Sequence, residues 1–191
     1  MATGINTRAG SRRLLEYAFE HAVTTGRKKA TIVHKANIMK ALTGIFLETG
    51  LELYERKYKG KFELDTVIID ACAMKLVLNP WQFDMLVTTN LFGDILTDLG
   101  GAVSGGIGVA SSANLNPAGT GPSMFEPVHG SAPDIVGTGK ANPVAAILSA
   151  AHMLEFLGED AMAERVRAAC QAPASGSTSQ MGDEISARVA K

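Results

Sequence analysis

Residues 83–98, FDMLVTTNLFGDILTD, decide the fold. Phe83 to Val87 is a short apolar run that closes on the hydroxyls of Thr88 and Thr89. It reads as a buried strand feeding straight into a helix. Asp94 and Asp98 are four residues apart on that helix, so both carboxylates fall on one face. Two anions this close repel unless a cation lies between them, and oxygen-only donors suit a hard ion such as Mg2+ or Mn2+. In open α/β sheets, ligands bind beyond the carboxyl ends of the strands, where this pair would stand. The plainer reading is an acidic helix start that complements the helix dipole, which accounts for Asp94 better than for Asp98.

Working outward, Leu14, Leu15, Ala18 and Ala22 recur at helical spacing over 11–23. A β-rich run follows at 31–34, after the basic turn GRKK. The pattern predicts a helix over 38–56, although Gly44 and Gly50 weaken its middle. Residues 62–69 read as a strand with Asp70 at its end, and 71–78 as a short helix stopped by Asn79-Pro80. Beyond the central helix, the glycines at 100–108 do not match G-x-G-x-x-G, so they point to close packing and a flexible link rather than a dinucleotide turn. Residues 114–122 and 130–139 read as loops and 124–129 as a short strand. A long helix opens at Asn142-Pro143, and two more cover 161–172 and 181–189, with a polar turn at 175–180. Strands alternating with helices predict an α/β fold with a largely parallel or mixed sheet flanked by helices.

The composition narrows the function. Hydrophobic residues make up 46% of the 191 and charged residues 19%, the balance of an ordinary globular chain. The net charge of -1 gives no case for nucleic acid or a membrane surface. No apolar stretch is long enough to span a bilayer. Two cysteines, Cys72 and Cys170, are too few for a disulfide framework and point to a reducing, cytoplasmic setting.

Two more clusters carry chemistry. In VHKANIMK at 33–40, Lys35 follows an apolar strand, and a lysine there can shift its pKa and move protons. An ordinary solvated lysine is the competing reading. In FEPVHGSAPDI at 125–135, Gly130 lets a ligand approach the backbone, and Asp134 could accept hydrogen bonds from a ribose diol. A turn-forming Pro-Asp pair is the competing reading there.

Taken together, VHKANIMK, Asp70, NLFGDILTD, and FEPVHGSAPDI followed by ANP resemble the β-decarboxylating dehydrogenase family of isocitrate, 3-isopropylmalate, homoisocitrate and tartrate dehydrogenases. The resemblance runs on to STSQMGDEI at 177–185. It implies an isocitrate/isopropylmalate dehydrogenase-like fold and a homodimer with shared active sites. Asp94 and Asp98 match metal ligands for Mg2+ or Mn2+, and Asp70 matches a metal and substrate ligand reaching in from the partner subunit. Lys35 matches the catalytic lysine, also donated across the dimer, with Asn37 beside it near the substrate. Glu126, His129, Gly130, Ser131, Ala132, Asp134, Ile135 and Asn142 match the cofactor loop, and the Asp134-Ile135 pair favours NAD. The implied reaction is oxidative decarboxylation of a small-molecule 2-hydroxy acid bearing a 3-carboxylate, of isocitrate or 3-isopropylmalate type.

The family's opening glycine turn, its substrate-gripping arginine cluster and its catalytic tyrosine segment have no match in these 191 residues, and the acidic residue the family has before Gly44 is Thr43 here. We therefore expect residues 1–104 to form the small dimer-forming lobe with the lysine and metal carboxylates. Residues 105–191 would form the C-terminal part of the cofactor lobe, and the whole would be a truncated portion of the enzyme. A non-catalytic nucleotide- or metal-binding subunit or assembly module is the other expectation.

Overall fold

The computed structural model of the chain describes residues 4–190. Its chain divides into two compact units, Met1–Gly100 and Gly101–Lys191.

The first unit is built around β1 (Lys29–His34), the middle strand of a three-stranded parallel sheet ordered β2-β1-β3. Ala30, Thr31, Ile32 and Val33 are all fully buried. Such an unbroken buried run is what a central parallel strand requires, because helices cover both of its faces. Successive side chains alternate between those faces. Ala30 and Ile32 join one core with α1 (Arg8–Thr24), α2 (Lys40–Leu53) and β3 (Met85–Val87). Val33 joins the other with Val67 of β2 (Glu63–Ile68), Cys72 and Leu76 of α3 (Ile69–Leu78) and Leu96 of α4 (Asn90–Val103).

Leu15, Phe19 and Ala22 form the buried stripe of α1 at the expected four- and three-residue steps. Phe19 meets Tyr58 and Phe62 with ring centroids 5.4 Å away in each case. Gly50 interrupts the predicted helix pattern for a packing reason. A Cβ there would lie 2.5 Å from Ile32 Cδ1, so a larger residue would have to push the Ile32 side chain aside, and glycine lets α2 seat closely on β1. The helix then ends in a π-helical turn, Tyr54–Tyr58, that brings Tyr58 into the core. The sequence pattern took that segment as plain helix.

The second unit holds a two-stranded antiparallel sheet and three helices. β4 (Ser111–Asn114) pairs with β5 (Met124–Pro127), and α5 (Val144–Phe156) packs against both strands and against α6 (Asp160–Gln171), which meets α7 (Thr178–Val189). β4 escaped the sequence reading because Ser-Ser-Ala-Asn has little intrinsic strand preference; its pairing with β5 makes it a strand. α7 starts earlier than the pattern suggested. Ser177 and Gln180 form a reciprocal capping box at its first turn, a signal present in STSQ. Among the described residues, no helix is long and apolar enough to cross a membrane.

Candidate functional site

Parallel pairing brings three motifs to one edge of the sheet. His34 pairs with Ile68, and Ile32 with Val87, so the chain leaves β1, β2 and β3 on the same side. Lys35, Asp70 and the start of α4 follow these exits. Asp70 lies in the first turn of α3 rather than at a strand terminus, where its charge complements the helix dipole.

Lys35 Nζ donates to Asp70 Oδ1 at 2.5 Å. The lysine side chain is 24% exposed and the aspartate 62%, so the pair closes over the stem of the lysine while the carboxylate meets solvent. The hydrogen bond from Lys35 holds the Asp70 carboxyl below the usual carboxylate range. Beside it, His34 Nδ1 accepts the Ala36 N–H at 3.1 Å, and burial lowers the imidazole pKa, which keeps the ring a neutral acceptor. Asn37 is exposed in the turn that follows.

Sequence reasoning passed over Thr43 except as a departure from a pattern. It is 3% exposed, and its Oγ1 accepts the Lys35 N–H at 3.1 Å.

On α4, Phe92 and Leu96 are buried and turn the opposite side of the helix outward. Asp94 and Asp98 are both exposed there, and among the described residues neither carboxylate has a hydrogen-bond or ion-pair partner. Unpaired oxygen donors one turn apart are chemically suited to Mg2+ or Mn2+, but two carboxylates are an incomplete set for either. Asp70 does not complete it within one chain: no group of three His, Cys, Asp or Glu is placed to hold a metal among the described residues, although only Oδ1 of Asp70 is taken by Lys35.

The second unit contains a cavity of about 670 Å³, within the range of small-molecule sites. Its wall includes His129, Gly130, Ser131, Ala132, Ile135 and Asn142 of the expected cofactor residues. Glu126 and Asp134 stand outside that wall; Glu126 instead accepts from Asn114 Nδ2 at 3.2 Å. Ala132 sits at φ 43°, the one left-handed non-glycine among the described residues, which marks a strained loop of the kind that often shapes a ligand site. Gly108 forms the opposite wall, and a Cβ there would lie 3.0 Å from the Asn142 Cβ, so glycine is what lets the two segments close together. Thr178, read from sequence only as part of a polar turn, also lines the cavity and links two of its segments: its hydroxyl donates to the Ala141 carbonyl at 2.6 Å. The mostly apolar wall with a few convergent polar groups is suited to a flat heteroaromatic group such as a nucleotide base.

Comparison with known proteins follows the same residues. The family model for isocitrate/isopropylmalate dehydrogenase matches residues 1–184. The chain is 49% identical over 194 residues to 3-isopropylmalate dehydrogenase of Corynebacterium efficiens, covering 98% of this chain and 56% of that one. It is 45% identical over 169 residues to homoisocitrate dehydrogenase of Methanocaldococcus jannaschii, covering 88% and 47% respectively. A crystal structure of isocitrate dehydrogenase from Methylococcus capsulatus superposes with a TM-score of 0.94 at 43% identity, covering 100% of this chain and 59% of that one. The chain thus spans about half the length of the curated relatives it matches.

Proposed function

The chain belongs to the isocitrate/isopropylmalate dehydrogenase family, and on that premise we propose that it serves NAD-linked, divalent-metal-dependent oxidative decarboxylation of a 2-hydroxy acid with a 3-carboxylate. The observation that carries the reading is the Lys35–Asp70 pair at the carboxyl edge of the parallel sheet, 2.5 Å from Nζ to Oδ1. Two dissociable groups of opposite charge, supported at strand exits, are what proton transfer to and from a hydroxyl needs. In this proposal, the Lys35 ammonium first releases a proton to solvent, and the neutral amine then takes the substrate hydroxyl proton at Nζ, directly or through water. Asp70 favours that step by stabilising the ammonium that results. Asn37 orients the substrate. Asp94 and Asp98 of one subunit, with Asp70 of a second copy, hold the cation. The loop at 129–135 and Asn142 hold NAD in the cavity of the second unit. A bound divalent cation supplies charge stabilisation on the reacting oxygen, and NAD accepts the hydride.

Residues 1–104 act in this reading as the dimer-forming lobe and 105–191 as part of the cofactor lobe. Exposed Met74, Val77 and Leu78 of α3, with Trp81 just beyond it, recur at helical spacing and support a homodimer through that face. The free cysteines Cys72 and Cys170 support a reducing, cytoplasmic setting.

The test is NADH formation by the purified chain with NAD+ and Mg2+ against isocitrate, 3-isopropylmalate, homoisocitrate and tartrate in parallel, with calorimetric titration of NAD+ alongside. Turnover with one acid identifies the substrate. Saturable NAD+ binding without turnover would reassign the chain as a non-catalytic nucleotide-binding module. A folded chain that neither binds NAD+ nor turns over any of the four acids overturns the reading.

A further inference from the structure

We propose that Thr43 is a positioning residue for Lys35, its buried hydroxyl replacing the sheet hydrogen bond that Lys35 lacks and fixing the backbone from which the lysine reaches Asp70. The inference rests on the proton-transfer role given to Lys35 above. The pairing of β1 with β2 ends at His34, so the Lys35 N–H has left the ladder. It donates to Thr43 Oγ1 at 3.1 Å, and that hydroxyl donates onward to the Met39 carbonyl at 3.3 Å. The Met39 N–H in turn donates to the Lys35 carbonyl at 2.8 Å. These three bonds close a ring between the end of β1 and the first turn of α2. Both backbone polar groups of Lys35 are thereby held, and the lysine side chain leaves from a fixed point.

Burial is what makes the ring matter. Thr43 is 3% exposed, so its hydroxyl is held in place among protein atoms, and removing its oxygen takes away the acceptor that protects the Lys35 N–H. The start of α2 has no side-chain cap at Met39, and the other side-chain tie at this strand exit, from the Ala36 N–H to His34 Nδ1, does not hold the Lys35 N–H. A hydroxyl both accepts and donates, which the ring needs at this point. An ionised carboxylate, as the family resemblance would place here, accepts only and could not pass a hydrogen bond on to Met39.

Thr49 provides the control. It lies on the same helix, is 4% exposed, and also bonds back to the carbonyl four residues earlier, at 2.5 Å to Ile45, but it does not touch Lys35. The experiment compares Thr43→Val, Thr43→Ser and Thr49→Val by amide hydrogen exchange at Lys35, by the nitrogen NMR resonance of the Lys35 ammonium, and by the NADH assay. In Thr43→Val the Lys35 amide exchanges at least about tenfold faster. Its ammonium resonance moves toward that of an Asp70→Asn chain. Its kcat falls about tenfold to a hundredfold, with KM for the hydroxy acid within about twofold. Thr43→Ser restores all three, and Thr49→Val changes none of them. An unchanged Lys35 amide and ammonium in Thr43→Val, or equal changes in Thr49→Val, overturns the proposal. If the parent chain shows no turnover, the two spectroscopic measurements alone decide the role of Thr43, and the proposed function fails separately.

Discussion

The two units bury different kinds of side chain. The first is centred on large rings and branched chains: Phe19, Phe46, Tyr58, Phe62 and Ile32 are each at most 6% exposed. The second buries Ala145, Ala151, Ala163 and Ala169, with Met181 and Ile185 the large buried residues. Burial of apolar area scales with side-chain size, at about 25 cal/mol per Å², so the first unit gains more per buried position. The candidate sites differ in the same sense. The lysine–aspartate pair stands on strand and helix ends of the first unit, where α3 packs on the core of Val33, Val67, Cys72, Leu76 and Leu96. The cavity is lined by loops, by Gly108 and by a left-handed Ala132, with few large side chains behind them. The proposed proton transfer needs closely fixed atoms, which a site on strand and helix ends suits. The cofactor proposed for the second unit would enter and leave through its loop-built wall.

Four changes test this contrast. The largest effect is expected from Phe19→Ala, which should cost about 3–5 kcal/mol by chemical denaturation, because its ring meets three others and the core cannot collapse around the gap. A loss under about 1 kcal/mol would mean that the first unit is no better packed than the second. Next is Lys35→Met. It should reduce NADH formation at least about a hundredfold while leaving NAD+ affinity unchanged, since the lysine and the cavity belong to different units. A parallel loss of NAD+ binding would break the separation of roles.

Gly108→Ala acts on the other side of the comparison. The added methyl would meet Asn142 at 3.0 Å and displace it, so NAD+ affinity should fall about tenfold by calorimetry with little change in unfolding. Unaltered affinity would show that the wall yields without consequence. The smallest effect concerns acid. Lys35 lowers the folded-state pKa of Asp70 below its ordinary value. The pair's stabilisation is therefore present above the ordinary aspartate range and is lost as the pH falls through the lowered value. The carboxylate is largely exposed, so the stability difference between the parent and Asp70→Asn should be slight at neutral pH and vanish in acid. A difference that grows as the pH falls would contradict the ion pair.

The candidate residues were legible in the sequence where they follow short-range rules. A strand exit followed by lysine, two aspartates a helical turn apart, and a glycine-bearing turn after a short strand are each local patterns. They name Lys35, Asp94, Asp98 and Gly130 before any fold is known. Thr43, Thr178 and β4 were illegible for the opposite reason. Thr43 earns its part through a hydrogen bond to a residue eight positions earlier, and Thr178 through one to a residue 37 positions earlier. Neither separation leaves a periodic trace.

The sequence by itself determined the alternation of strands and helices, the buried run of β1 and the residue types that carry charge, since backbone periodicity and side-chain polarity act over a few residues. Tertiary structure alone decided that Asp70 meets Lys35, that Gly50 is a contact rather than a helix defect, and that residues from 108 to 178 enclose one cavity. Those outcomes depend on which surfaces are brought within van der Waals and hydrogen-bonding distance, and that is fixed only when the sheet and its helices pack.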